Sequence, residues 1–526
     1  MKRTSGILLH ITSLPSRFGV GDLGPAAERF AAFLSRAGQR QWQILPIAPT
    51  SSFVGDSPYA GHSAFGGDPL LISPERLHEE GLLRTAELDQ AACPPKRHVE
   101  YAQARKAKET LLRRAFERAE PRLLQDEDFH AFLTVNAHWV NDLALFLACK
   151  AHLNDAAWFD WPTPLRDRHE PALREYGTRL AREILFHKFC QHRFFKQWGR
   201  LRSHLRDLQI DLVGDVPIYV THDSPDVWCN RELFKLDDQG RRTVVAGVPP
   251  DYFAKTGQRW GNPVFDWPAN EQQGFSWWCA RLLHHFGLHS QIRLDHFRGF
   301  AAYWEIPATE RTAAHGRWVH ARGRALLRTL HERAGRPHEL PILAENLGII
   351  TPDVERLRQE FRLPGMHVLQ FGFGPDAGRT PNVPFRHEPR GAVYTGTHDN
   401  NTARGWFERE LDAASRKRLQ RFAGQQPHAA GVHTLLIRLA LASPARQAFT
   451  PAQDVLGLGP EARLNVPGRA RGNWTWRLLP GELHATDAAA LADELAEQTE
   501  FYGRTGQDLK FGEYNETGQD HEPHRD

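Results

Sequence analysis

A chain of 526 residues with 41% hydrophobic and 25% charged side chains has the make-up of a globular protein with a large core, long enough for one elaborated barrel or for two or three separate domains. Its formal net charge of +3 is spread without a long basic run, which gives no case for nucleic acid or an anionic membrane as partner. The five cysteines, Cys93, Cys149, Cys190, Cys229 and Cys279, are widely spaced with no C-x-x-C pair, which argues against a disulfide framework or zinc ribbon and for a reducing, cytoplasmic setting.

The first apolar run, residues 6–9, stops at His10 and meets Pro15. It is too short for the apolar stretch of a secretion signal and reads as part of a strand over 6–11. No run approaches a membrane span. Pro25 opens a helix whose Phe30, Phe33, Leu34 and Ala37 share one face, and Gly38 stands where a C-terminal cap belongs. A second strand follows over 41–47. Later candidates lie at 210–220, 291–297, 341–346, 365–373 and 392–397, with a weaker one near 447–455. Several are almost wholly apolar until a polar residue arrives at the C-terminal end, as in strands buried on both faces. Thr351-Pro352-Asp353 carries a capping hydroxyl, proline at the first helical position and an acid in the first turn.

About eight strands separated by helices, with no G-x-G-x-x-G after the first, predict an α/β fold of the (β/α)8 TIM-barrel type with helical and loop insertions, filling residues 1–503. Two spacings exceed a plain crossover. Helical stretches at 101–119, 129–153 and 176–208 make about 70–209 a mainly helical insertion. Residues 221–267, rich in Gly, Pro and aromatics, predict a functional loop insertion. The polar stretch 504–526 reads as a flexible tail.

Three carboxylates end three of these strands. Arg293 and Asp295 stand two apart and so point the same way. A guanidinium beside Asp295 would hold it ionised and oriented, as a nucleophile requires; a structural Arg–Asp pair closing the barrel accounts for the same stretch. Glu345 follows an apolar strand, where desolvation by barrel walls would raise its pKa and suit a general acid; a capping or surface acid is the competing reading. Asp399 follows His398 after a further strand. No other ligands fall at metal-binding spacing, so sugar recognition is preferred to a metal. Two carboxylates flanking a glycosidic bond are the minimum for glycoside chemistry. The 15 Trp and 9 Tyr supply flat faces that suit sugar rings, although most of them belong to the core.

The motifs Gly55-Asp56-Ser57-Pro58-Tyr59, Gly247 to Phe253, Gly257 to Pro263, Arg293 to Gly299, Tyr394 to Asn400, Gln453 to Gly459 and Asn465 to Gly468, in that order, resemble the amylomaltase (4-α-glucanotransferase, disproportionating enzyme) family of the α-amylase clan. The resemblance runs from Gly6 to about Gly503. It implies Asp295 as nucleophile, Glu345 as general acid/base and Asp399 as transition-state stabiliser. It also implies sugar contacts from Tyr59, Asp215, Arg293, His398 and Asn465, and a covering loop with Tyr252, Phe253 and Trp260. Ser57, Gln258 and His296 join the substrate-binding set within the same motifs. Retaining double displacement comes with the family, as does the absence of a metal or organic cofactor. The partners are maltooligosaccharides and starch- or glycogen-derived α-1,4-glucans, with glucose as an acceptor. Departures are Asn346, where the family usually has Asp, Gly374, where an acid is usual, Asn401 for Asp, and Val54 for an aromatic.

Overall fold

The computed structural model describes residues 2–250, 255–335, 339–469 and 471–506. Eight parallel strands form the barrel wall: β1 (Thr4–Leu8), β2 (Gln41–Gln43), β3 (Asp211–Val216), β6 (Gln291–Leu294), β9 (Ile342–Ala344), β10 (Met366–Val368), β11 (Ala392–Tyr394) and β12 (Gln447–Pro451). They run in chain order around the sheet, with β12 beside β1. The seam between β9 and β10 is tied by Ala344 N–H donating to Pro364 O at 2.9 Å and Met366 N–H donating to Asn346 Oδ1 at 2.8 Å. The TIM barrel expected from the strand pattern is therefore present, though every strand is shorter than its apolar run, because the residues past each strand turn into the loops of the upper mouth.

Alternation along the strands fills the interior. Leu8, Val213, Leu343, Met366, Val368, Ala392, Tyr394 and Phe449 form one buried cluster inside the wall. Outside it, the helix Pro25–Arg36 buries Phe30, Phe33 and Leu34, each worth ~1.5–3 kcal/mol by area. Gly38 takes φ +67°, a left-handed conformation that a side chain resists. Thr351 stands at the N-cap of Pro352–Glu360, but its hydroxyl makes no cap hydrogen bond.

The segment 71–209 is helical throughout its long elements. The run read as one helix over 129–153 is two, Glu127–Val135 and Ala137–His152, bent by 99°, and 176–208 spans the ends of Glu170–Arg179 and Ala181–Asp207. Among the described residues no single helix is long and apolar enough to cross a membrane.

The stretch expected to be a loop is partly a sheet. β4 (Val244–Val248) and β5 (Gln258–Pro263) pair with β7 (Ala302–Pro307) and β8 (Arg317–His320) in an antiparallel sheet of order β5-β4-β7-β8. Short strands rich in Gly, Pro and Arg, two of them beyond the expected insertion, carry little period-two signal. The tail also starts later than residue 504. Arg504 is fully buried, and its guanidinium donates to the carbonyls of Leu441, Ser443 and Ala445 at 2.6, 2.7 and 3.0 Å. Residues 507–526 of the expected tail lie outside the described residues.

Candidate active site

Strand register positions the acids. β3 and β6 pair with Asp215 beside Arg293, and β6 and β9 pair with Arg293 beside Leu343 and Leu294 beside Ala344. The next residues are Asp295 and Glu345, so two carboxylates leave neighbouring strands, about 4.8 Å apart, at one height. The ladder continues past the strands: Asp295 N–H donates to Val216 O at 3.0 Å and Glu345 N–H to Leu294 O at 3.1 Å.

Arg293 is buried and divides its guanidinium. Nη1 donates to Asp215 Oδ1 and Oδ2 at 3.0 and 2.8 Å, and Nη2 lies 2.8 Å from Asp295 Oδ1. Burial works against its charge, but Asp215 and then Asp295 outweigh it and hold the guanidinium well above its ordinary pKa. The Asp215 side chain has no exposure, and burial pushes its carboxyl up to about 7, against the pull of Arg293. The Tyr59 hydroxyl donates to Asp215 Oδ2 at 2.7 Å. The guanidinium and the phenol both donate to Asp215 and favour its carboxylate form against the burial.

Glu345 is gripped by backbone. Its Oε2 accepts from His296 N–H and its Oε1 from Leu347 N–H, both at 2.8 Å. His296 takes φ +50°, an unfavourable left-handed conformation for a histidine, and there its amide meets the acid. Desolvation first, and the neighbouring Asp295 charge among the other causes, push Glu345 up to about 7. The Arg293 charge and the two amide donors oppose this.

Asp399 is 46% exposed on its side chain. Asn465 Nδ2 donates to its Oδ1 at 2.6 Å, and His398 Nε2 lies 3.5 Å from its Oδ2. The His398 ring stacks on Tyr59, centroids 5.1 Å apart. Burial lowers the His398 pKa against the pull of Asp399, which favours the neutral ring. Contacts thus run unbroken from Asp295 through Arg293, Asp215, Tyr59 and His398 to Asp399.

The remaining predicted site residues divide. Trp260, on β5, is 39% exposed and meets His296 edge to face at 4.8 Å. Gln258 Oε1 accepts from the Trp260 indole at 3.2 Å. Ser57 Oγ accepts from Tyr59 N–H at 3.3 Å, capping the turn Pro58–Ala60. Tyr252 and Phe253 lie outside the described residues. Among the described residues no group of His, Cys, Asp or Glu is arranged to hold a metal ion.

One positioning residue escaped the sequence reading. Arg463 Nη2 donates to Asp399 O at 2.9 Å, Nε donates to Asn465 O at 2.8 Å, and Nη1 meets Glu410 at 3.0 Å. Nothing in its local sequence marks it, because its partners are backbone carbonyls and a distant acid.

Comparison with known proteins decides the family. The model described as 4-alpha-glucanotransferase matches residues 9–482. A 4-alpha-glucanotransferase of Thermus thermophilus is 47% identical over 510 residues, covering 95% of this chain and 99% of that protein. The chain belongs to the 4-α-glucanotransferase family. A chloroplastic/amyloplastic 4-alpha-glucanotransferase of Solanum tuberosum is 40% identical over 96% of this chain and 87% of its own. The structure of an amylomaltase from Streptococcus agalactiae in complex with acarbose superposes with TM-score 0.90 at 35% identity, covering 96% of this chain and all of that one.

Two departures from the usual 4-α-glucanotransferase pattern find partners here. Asn346 donates to Glu355 Oε1 at 3.0 Å while accepting from Met366 N–H, so a carboxylate lies one hydrogen bond away from position 346. Asn401 donates to Glu410 Oε1 at 2.9 Å, joining the group that holds Arg463. Nothing in the structure explains Val54 or Gly374.

Proposed function

We propose that this enzyme moves segments of α-1,4-glucan between maltooligosaccharides or starch- and glycogen-derived chains, with glucose also serving as acceptor, by retaining double displacement. In the first step an Asp295 oxygen attacks the anomeric carbon. Glu345 gives its proton to the glycosidic oxygen, the C1–O bond breaks and the leaving chain departs as an alcohol. In the second step Glu345, now a carboxylate, takes the proton of an acceptor 4-hydroxyl, whose oxygen displaces Asp295 from C1. One α-1,4 bond is exchanged for another, so no energy source is needed.

The observation that carries this reading is that Asp295 and Glu345 each follow the last residue of a paired strand, Leu294 beside Ala344, with Arg293 2.8 Å from Asp295. Retention calls for two carboxyl groups about 5–5.5 Å apart, and acids that follow neighbouring strands about 4.8 Å apart are compatible with that separation. Electrostatics supports both roles in turn. With Asp295 charged, Glu345 holds its proton up to about pH 7. Once Asp295 is esterified that like charge is gone, the Glu345 pKa falls, and it becomes a base. Asp399, steadied by Asn465 and Arg463, would accept from the ring hydroxyls of the distorted sugar, with His398 donating to one. Trp260, with Gln258 against its indole, would stack on the glucan. Tyr252 and Phe253 are assigned to the same cover by the resemblance alone. The five free cysteines support a cytoplasmic setting.

Incubation with maltotriose tests the reaction class. Transfer yields glucose together with a ladder of oligosaccharides longer than the substrate. Glucose and maltose with no longer products would reduce the activity to hydrolysis and overturn the proposal.

A further inference from the structure

A depression of about 1700 Å³ opens at the N-terminal mouth of the barrel, opposite the carboxylates. Every wall strand contributes to it. Thr4, Gln41, Asp211 and Gln291, the first residues of β1, β2, β3 and β6, line it, and residues just ahead of β9, β10, β11 and β12 complete the ring. Its floor is polar: Gln447 Nε2 donates to Gln291 Oε1 at 2.7 Å from the opposite wall.

The rim is strongly cationic. Arg40, Arg202, Arg206, Arg362, Arg390 and Arg446 line it with Lys2, against the carboxylates of Asp211, Glu339 and Glu500. That excess of four positive charges exceeds the net +3 of the whole chain. Among these groups, within the described residues, Arg390–Glu339 at 3.3 Å is the one ion pair. Arg40 and Arg202 are instead braced by neutral carbonyl oxygens, Thr505 O at 2.9 Å and Gly287 O at 2.5 Å, which fix the guanidinium groups without cancelling their charge. The Arg202 pKa is lowered, by burial first and then by the like charge of Arg206.

Concentrated like charge in a concave site is electrostatically costly until an anion fills it. We propose that this mouth binds a phosphorylated small molecule carrying two or more negative charges. Arginine forks match phosphate oxygens bidentately, and several forks from different elements suit an anion with several acceptors. The volume, above the ~300–1,000 Å³ usual for small-molecule sites, admits a ligand of nucleotide or sugar-phosphate size with room for its hydration. A neutral glucan would leave the charges uncompensated, so this is no extension of the sugar cleft.

The full-length protein is titrated calorimetrically with inorganic pyrophosphate at 0.15 M NaCl, where exposed charges farther apart than about 8 Å are screened. Saturable binding at one site is expected. The double variant Arg206→Glu/Arg446→Glu should weaken it at least 10-fold, with maltotriose turnover unchanged because both residues lie at the far end of the barrel. No saturable heat with the wild-type protein, or undiminished affinity in the double variant, overturns the proposal. If the double variant does not fold, Arg446→Gln decides instead: binding at least threefold weaker sustains the site, and unchanged binding removes it.

Discussion

Replacing Asp295 by Asn should lower the pKa of Glu345, and the structure sets the size of the change. Asp295 and Glu345 directly follow the paired residues Leu294 and Ala344, and neighbouring strands lie about 4.8 Å apart, which puts the working charge separation at roughly 5 Å. At an effective dielectric constant of about 20 that repulsion is ~3 kcal/mol, or about 2 pKa units. Arg293, 2.8 Å from Asp295, screens part of it, so the expected fall is about 1–2 units from a starting value of about 7. The sign follows from charge: removing a negative neighbour favours the ionised form. The neutral amide introduced by Asp295→Asn would also imitate the ester of the covalent intermediate, so the shifted value is the one Glu345 would hold as base. The assay is a pH titration of Glu345 followed by its carboxyl infrared band, isolated by difference against a variant that also carries Glu345→Gln. An unchanged Glu345 pKa in a folded Asp295→Asn protein would refute the coupling, and with it the switch between acid and base.

Further consequences can be checked separately. The kcat/KM for maltotriose should fall on the alkaline side with an apparent pKa near 7, because Glu345, raised by burial and the Asp295 charge, then loses the proton that the proposed general acid donates; a flat profile to pH 9 contradicts this. Asn465→Ala removes the 2.6 Å donor to Asp399 and should lower kcat about 10–100-fold, roughly the ~1.5–3 kcal/mol of a hydrogen bond to a charged group, with little change in the unfolding midpoint. Arg504→Met leaves the buried carbonyls of Leu441, Ser443 and Ala445 without their donor and should destabilise the fold by ~3 kcal/mol or more in urea titration; a loss below ~1 kcal/mol would show that the carbonyls find other partners.

Much of the fold and of the site was legible in the sequence, for a physical reason. Barrel strands buried on both faces are nearly continuous apolar runs, and an acid at the C-terminal end of such a run, as Asp295 and Glu345 are, stands out; Asp399 lies a short polar turn beyond its strand. What was not legible was carried by pairing across the chain. The antiparallel sheet of β4, β5, β7 and β8 is built from short strands with Gly247, Gly261 and Pro263, whose order comes from register. Arg463 acts on the carbonyls of Asp399 and Asn465, and backbone oxygens have no sequence signature. Arg504 opens a polar, Gly-rich stretch with few apolar anchors, which has the make-up of a tail; its burial becomes visible only when the carbonyls it serves converge on it.

The central claim is that Asp295 becomes covalently bonded to the sugar. A Glu345→Gln variant treated with an α-maltosyl fluoride that lacks its terminal 4-hydroxyl tests it most directly, since fluoride leaves without an acid and no acceptor can relieve the enzyme. Mass spectrometry of the digested protein should find the deoxymaltosyl mass on the peptide containing Asp295, and on no other acid. An adduct on a different residue, or steady turnover without any adduct, would contradict it.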